Sequence, residues 1–302
     1  MKVSLIATVR DARPFVEEFL ESVRAQTRPP DEVVVVDGGS TDGTFRVLER
    51  AEGVTAISET GANIARGRNL AIRAATHDVI AVTDADCVLA SNWLERLVRP
   101  LEHGADVSAG AYAPIARSFA DVCLSAHIPY PSEMRSGWFP SARSVAFRRE
   151  AFEAAGGYPE WLDVGEDMYL NHRWVEGGAR IDPAPDAVTY WRVRPTLAET
   201  WRQYSRYAEG DARAGMYARR HAIRFLTYGM AAAVVASRRK TLIALALAAG
   251  AAYAARPVAR AWRRLSDQPG KRMAAIVAVP AAMAFIDAAK MSGYLRGRLA
   301  RR

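Results

Sequence analysis

Val79-Ile80-Ala81-Val82-Thr83-Asp84-Ala85-Asp86 is the stretch that decides the fold. Its unbroken apolar and β-branched run predicts a strand buried on both faces, as in a parallel sheet. The strand ends in two carboxylates one residue apart. On an extended chain, residues two apart point the same way. Asp84 and Asp86 are therefore expected to reach one hard divalent cation, and such a cation neutralises a diphosphate. Acidic pairs at strand ends are common, so this pattern gains weight only from its surroundings.

The buried-strand pattern recurs upstream. Residues 2–9 read as a first strand rather than a signal peptide, because the apolar run is short and broken by Thr8 and Arg10. Residues 14–26 have helical spacing, with Phe15, Phe19, Leu20 and Val23 on one face. Residues 32–36 form a second strand, which ends in the turn formers Asp37 to Gly43, and a helix follows to about residue 52. Strand 54–58 and helix 63–75 complete a β-α-β-α-β-α-β alternation up to strand 79–83. That order predicts an α/β fold with a Rossmann-like, doubly wound, mostly parallel sheet. Ligands of such sheets bind beyond the carboxyl ends of the strands, where Asp37, Asp84 and Asp86 all fall. Downstream, the pattern predicts a helix over 91–103, strands over 107–112 and 144–147, and a short helix over 149–155. Residues 113–140 read as a loop rich in Pro, Ser and aromatics. A helix opens at Gly165-Glu166-Asp167, and residues 181 and 187–191 suggest one or two last strands.

The net charge of +8 over 302 residues is unevenly spread. Residues 219–302 carry 17 Lys/Arg against Asp267 and Asp287, a net of +15, and residues 1–218 carry 24 Lys/Arg against 31 Asp/Glu, a net of −7. The chain thus divides into a globular part, 1–218, and a basic, apolar helical region, 219–302. Apolar runs over 222–237, 241–255 and 273–289 are flanked by arginine and almost no acid, which argues for membrane-associated helices. Each is slightly short of the ~20 residues of a spanning helix. The segment 256–272 holds the most positive charge of the short connections. That places it, and the globular part, on the cytoplasmic side of a cell membrane. The alternative is a hairpin lying among anionic head groups, with membrane lipids as partners in either case. The basic tail is poor in aromatics and the globular part is acidic, so a nucleic-acid partner is excluded. Two cysteines, Cys87 and Cys123, provide no disulfide framework and read as small buried hydrophobes.

Taken together, VVVVDGGSTDGT (33–44), GANIARGRNLAI (61–72), VTDADC (82–87) and GEDMYL (165–170) resemble family 2 glycosyltransferases with a GT-A fold, over residues 1–210. The resemblance implies inverting transfer of a sugar from a nucleotide-sugar donor, with Mg2+ or Mn2+ as cofactor. It implies that Asp37 bonds the nucleotide base, that Thr8 and Val9 line the base pocket through their backbone, and that Arg68 sits beside the nucleotide. Asp84 would lie near the ribose or the metal, Asp86 would be the principal metal ligand, and Asp167 the general base with Glu166 beside it. Gly38 departs from the pattern, since many members carry a second Asp there. Gln203-Tyr204-Ser205-Arg206-Tyr207 resembles the Gln-x-x-Arg-Trp segment of synthase-like members, so Gln203 and Arg206 are expected to help bind acceptor and diphosphate. An arginine suits that task because its planar fork grips phosphate oxygens. The expected activity is transfer to a hydroxyl of a lipid-linked or membrane-proximal glycan acceptor in envelope synthesis. Alternatives are a polyprenyl-phosphate glycosyltransferase, whose anionic acceptor needs no base, and a non-catalytic membrane scaffold with a degenerate nucleotide pocket.

Overall fold

A computed structural model describes residues 1–135 and 137–300. Ser136, in the loop expected over 113–140, and Arg301 and Arg302, in the basic tail, lie outside the described residues. The chain forms two compact units, residues 1–114 with 130–192, and residues 115–129 with 193 onward.

The first unit begins with the expected alternation: β1 (Val3–Val9), α1 (Arg13–Arg24), β2 (Glu32–Asp37), α2 (Thr44–Glu49), β3 (Val54–Ser58), α3 (Ile64–Ala74) and β4 (Val79–Asp84). It continues with β5 (Cys87–Leu89), α4 (Trp93–Glu102) and β6 (Val107–Ile115). After α5 (Phe119–Ser125), which belongs to the second unit, come β7 (Val145–Arg148), α6 (Arg149–Ala154), α7 (Glu166–Glu176) and β8 (Ile181–Arg192). The eight strands form one sheet in the order β3-β2-β1-β4-β7-β6-β8-β5. The first four are parallel, and β7 joins β4 in the antiparallel sense.

Strand alternation explains the layering. Val3, Leu5, Ala7 and Val9 of β1 face a core shared with Val16, Phe19 and Leu20 of α1 and Leu94 and Leu97 of α4. Ile6, with Val34, Val36, Ile80 and Val82, faces the opposite core, filled by Ala71 and Ile72 of α3, Phe152 of α6 and Leu170 and Trp174 of α7. With both faces covered, the parallel strands are continuous apolar runs.

Three local readings need correction. Asp84 ends β4, and Ala85-Asp86 form a turn into β5. The two carboxylates are thus related by a turn, not by a strand's pleat, because the chain must reverse to pair Cys87 with Trp191 of β8. The supposed loop 113–140 contains α5, whose capping box joins Ser118 and Asp121. A seven-residue helix is too short to show a period. The segment 256–272 is helical up to Arg264 and again from Pro269. Alanine and arginine favour helix there, and buried Ala254, Arg260 and Ala261 hold it in place.

The second unit joins α5 to α8 (Leu197–Ala214), α9 (Ala218–Ala236), α10 (Lys240–Arg264) and α11 (Pro269–Leu299). Val122, Cys123, Ala126, Ala261, Leu265, Ala275 and Val279 form one of its cores. The packing boundary follows Arg192, upstream of the charge boundary at 218/219, because α8 packs on α11. Gly293 permits that approach: a Cβ there would lie 1.8 Å from the Ser205 carbonyl oxygen. α10 and α11 are long and apolar enough to cross a membrane, and only 11% and 33% of their apolar stretches are buried.

Candidate active site

Strand register sets the site. Val9 pairs with Asp37 and Thr8 with Asp84, so the ends of β1, β2 and β4 bring these four residues to one carboxyl edge. The Val9 carbonyl accepts from the Gly38 amide at 2.9 Å. Asp37 is buried. Its Oδ1 accepts from the Gly39 and Ser40 amides at 2.8 and 2.7 Å, which fixes the turn-forming loop. Its Oδ2 is buried without a hydrogen-bond partner among the described residues. A buried acceptor left unmade is costly, and a ligand N–H would satisfy it. Gly38 has a packing reason: a Cβ would sit 3.2 Å from the Ala62 carbonyl oxygen.

Asn63 caps α3, its side chain accepting from the Arg66 amide at 2.9 Å. Arg68 follows on the first turns and is 1% exposed. Its Nη2 donates to Asp84 Oδ1 at 2.6 Å and its Nη1 to Glu166 Oε1. The Tyr158 ring centroid lies 5.4 Å from the guanidinium carbon. Burial disfavours the Arg68 charge, but Asp84 and Glu166 outweigh it and hold the guanidinium protonated. Burial raises the Glu166 carboxyl above its usual range, with Arg68 pulling the other way. Glu166 therefore acts on Arg68 and is enclosed, whereas the neighbouring Asp167 is half-buried at the start of α7. Asp167 Oδ2 accepts from the Ala142 amide at 3.2 Å, and Oδ1 from the Met168 amide at 2.8 Å.

Two arginines not singled out from the sequence complete the edge. Arg143 Nε is 4.0 Å from Asp84 Oδ2, and its guanidinium lies between the Tyr112 and Trp191 rings at 5.4 and 5.1 Å. Arg192 Nη1 donates to the Asp86 carbonyl at 2.9 Å, and its Nη2 pairs with Glu18. Arg192 thus ties the acidic turn to α1. The stretch before β7 has no period, and the partners lie far apart in sequence, so only the fold brings them together. Gln203 and Arg206 lie on α8 in the second unit. Gln203 donates to the Tyr207 hydroxyl at 2.7 Å, and Arg206 is exposed.

Asp84 and Asp86 offer hard oxygen donors, and no group of three His, Cys, Asp or Glu suited to a metal occurs among the described residues. That set fits Mg2+ or Mn2+ chemistry, in which one or two carboxylates suffice and substrate phosphates and water complete the shell. Asp84 is engaged by Arg68, and the Cys87 thiol lies 3.7 Å from Asp86 Oδ1. Cys87 is buried, and burial pushes its thiol well up, which suits an inert side chain.

Residues 4–153 match the model of glycosyl transferase family 2. The chain is 26% identical over 224 residues to the O-antigen chain rhamnosyltransferase RfbN of Salmonella typhimurium, covering 68% of this chain and 70% of that protein. It is 27% identical over 219 residues to the succinoglycan biosynthesis protein ExoA of Rhizobium meliloti, covering 66% and 65%. The chain thus spans about two thirds of the length of these relatives. Among solved structures, the mannosyltransferase PcManGT from Pyrobaculum calidifontis, in complex with GDP-Man and Mn2+, superposes with a TM-score of 0.56 at 24% identity, covering 99% of this chain and 86% of that one. That likeness shows the fold, which is GT-A.

Proposed function

The chain belongs to glycosyl transferase family 2, and from that premise we propose that it moves a sugar, with inversion, from a nucleoside-diphosphate sugar to a hydroxyl of a lipid-linked or membrane-proximal glycan during envelope glycan synthesis. The observation that carries this reading is the buried Arg68, which joins Asp84 at the end of β4 to Glu166 at the start of α7. That linkage brings a donor-side carboxylate and the Asp167 backbone to the same edge of the sheet. The relatives named for O-antigen and succinoglycan synthesis support a glycan product.

In this reading Asp37 Oδ2 accepts a base N–H, with Thr8 and Val9 lining the pocket. Asp86, with Asp84, would hold a Mg2+ or Mn2+ ion, which supplies Lewis-acid stabilisation of the departing diphosphate. Arg68 and Arg143 add positive charge beside it. Asp167 accepts the proton of the acceptor hydroxyl as that oxygen bonds the anomeric carbon. The bond from that carbon to the diphosphate oxygen breaks, and its electron pair leaves with the nucleotide. The amides of Ala142 and Met168 hold the Asp167 carboxylate in place for this step. The chain works at a cell membrane, with the first unit cytoplasmic and α10 and α11 as the apolar anchor. Anionic lipids attract its basic tail.

Thermal stabilisation of the detergent-purified chain by UDP, GDP or dTDP, with and without Mn2+, tests the reading. A Mn2+-dependent shift with one nucleotide, lost in Asp86→Ala, is expected. No shift with any of them overturns it in favour of a degenerate scaffold.

A further inference from the structure

The first unit carries a long groove along α4 and β8. Two adjoining cavities of about 340 and 750 Å3 share Arg96, Pro185 and Asp186 in their walls, so they form one trough. From Asp182 to Tyr190 it follows β8 for about 27 Å at ~3.4 Å per residue. Pro183 and Pro185 have no N–H to offer a neighbouring strand, which keeps this stretch from being covered by further pairing.

The lining mixes polar and apolar surface, and among the described residues two of its charged side chains lack internal ion-pair partners. Arg96 Nε is buried without a hydrogen-bond partner, and neither Arg96 nor Asp186 has an ion pair among the described residues. Tyr190 is 42% exposed. Arg96 and Arg99 share the walls with two carboxylates, Asp186 and Asp182, the latter itself paired with Arg180 at 2.6 Å, and carboxylates in the walls repel a polyanion. Guanidinium, carboxylate and amide groups, here Arg96, Asp186 and Asn92, supply donors and acceptors that match adjacent hydroxyls. The Tyr130 and Tyr190 rings, both in its wall, offer apolar faces to the C–H side of a pyranose. The length suits a chain of sugars rather than one.

The trough also leads to the acidic turn. Tyr190 pairs with Val88, next to the residue that follows Asp86. Two residues on, and on the same side of the strand, Arg192 holds the Asp86 carbonyl.

We propose that this groove binds the already assembled part of the acceptor, a neutral oligosaccharide. The inference rests on the glycan-acceptor reading above and adds where the glycan lies. The test is binding of the detergent-purified full chain to an array of neutral bacterial-surface oligosaccharides, with the component monosaccharides as controls, followed by titration of the retained glycan. Retention of an oligosaccharide but not its monosaccharides is expected. Tyr190→Ala and Arg96→Ala, both at a solvent-reached wall, should each weaken it about tenfold, the loss of one stacking or hydrogen-bonded anchor. Both variants should keep the nucleotide-dependent thermal shift. Failure of the wild type to retain any oligosaccharide, or unchanged affinity in both variants, overturns the groove assignment while the nucleotide shift persists. Loss of the nucleotide shift in the wild type would strike the glycosyltransferase reading itself.

Discussion

Arg68 divides its two terminal nitrogens between Glu166 and Asp84, so removing the guanidinium leaves two carboxylates facing each other, one of them enclosed. Arg68→Met should therefore cost about 3–5 kcal/mol of stability, the penalty of breaking a buried pair by one partner. Urea denaturation reads this as a lower midpoint, and adding Glu166→Gln should restore part of it. A midpoint unchanged in Arg68→Met would mean that the pair contributes nothing. Asp167→Asn keeps the size of the side chain but removes the base. It should lower kcat by about 10²–10⁴ while the thermal shift with nucleoside diphosphate persists, and wild-type turnover would dismiss Asp167 as base. Asp37 and Asp84 end strands and Glu166 and Asp167 open a helix, positions that a sequence marks; Arg68 stands out only through the family resemblance, and Asp86 only as the second carboxylate of Asp84-Ala85-Asp86. Arg143 and Arg192 stand out in none of these ways. Their signal is a contact with Asp84 and Asp86 across long stretches of chain, and no local period encodes that. The resemblance already distinguishes Asp167, as general base, from Glu166 beside it; what it does not carry is their surroundings, Glu166 enclosed against Arg68 and Asp167 half-buried on backbone amides.

Strand and helix ends hold further consequences. Glu32 opens β2 and accepts from Ser4 Oγ at 2.5 Å and the Thr76 amide at 2.8 Å, tying β2 to β1 and to the turn before β4. Burial pushes its carboxyl up, but those hydrogen bonds outweigh it and leave it below the ordinary value. A depressed carboxyl stabilises the fold above its unfolded pKa, and that contribution fades as pH falls through the folded pKa. Glu32→Ala should cost about 1 kcal/mol near neutral pH, the scale of a partly solvated hydrogen-bonded group. Melting curves of variant and wild type should converge on acidification; a gap that widens would refute the linkage. Between α8 and α11, Gly293→Val would drive a side chain into the Ser205 carbonyl, with a loss of at least about 1–3 kcal/mol as for overpacking. A variant as stable as wild type would mean that the helices do not touch there. The parallel half of the sheet was legible because buried strands leave unbroken apolar runs. The antiparallel half was less so. β5 has three residues, and α5 is stabilised by its Ser118–Asp121 box and by packing on Ala261 and Ala275 rather than by a readable period.

At the scale of the whole molecule, charge and packing divide the chain at different places. The net charge turns positive after residue 218, yet packing separates the units after Arg192. Charge is additive along a sequence and can be read directly, whereas the docking of α8 on α11 depends on Gly293 and Gly297 lying opposite Ser205 and Glu209. Two forces would draw such a chain to a bilayer. Basic residues around α10 and α11 attract anionic lipid, each worth about 1 kcal/mol near the surface, and the exposed apolar sides of these helices favour hydrocarbon. Salt separates the two, since at 1 M the screening length falls to about 3 Å. If the apolar helices enter the hydrocarbon, the chain should float with phosphatidylglycerol vesicles at low salt and remain with them at about 1 M NaCl. Release at high salt would mean that the arginines alone hold it at the surface, and failure to float at low salt would remove the membrane reading. Retention is the expected outcome, because Leu245, Leu247, Tyr253 and Val277 are each more than 65% exposed, and water is a poor solvent for so continuous an apolar surface.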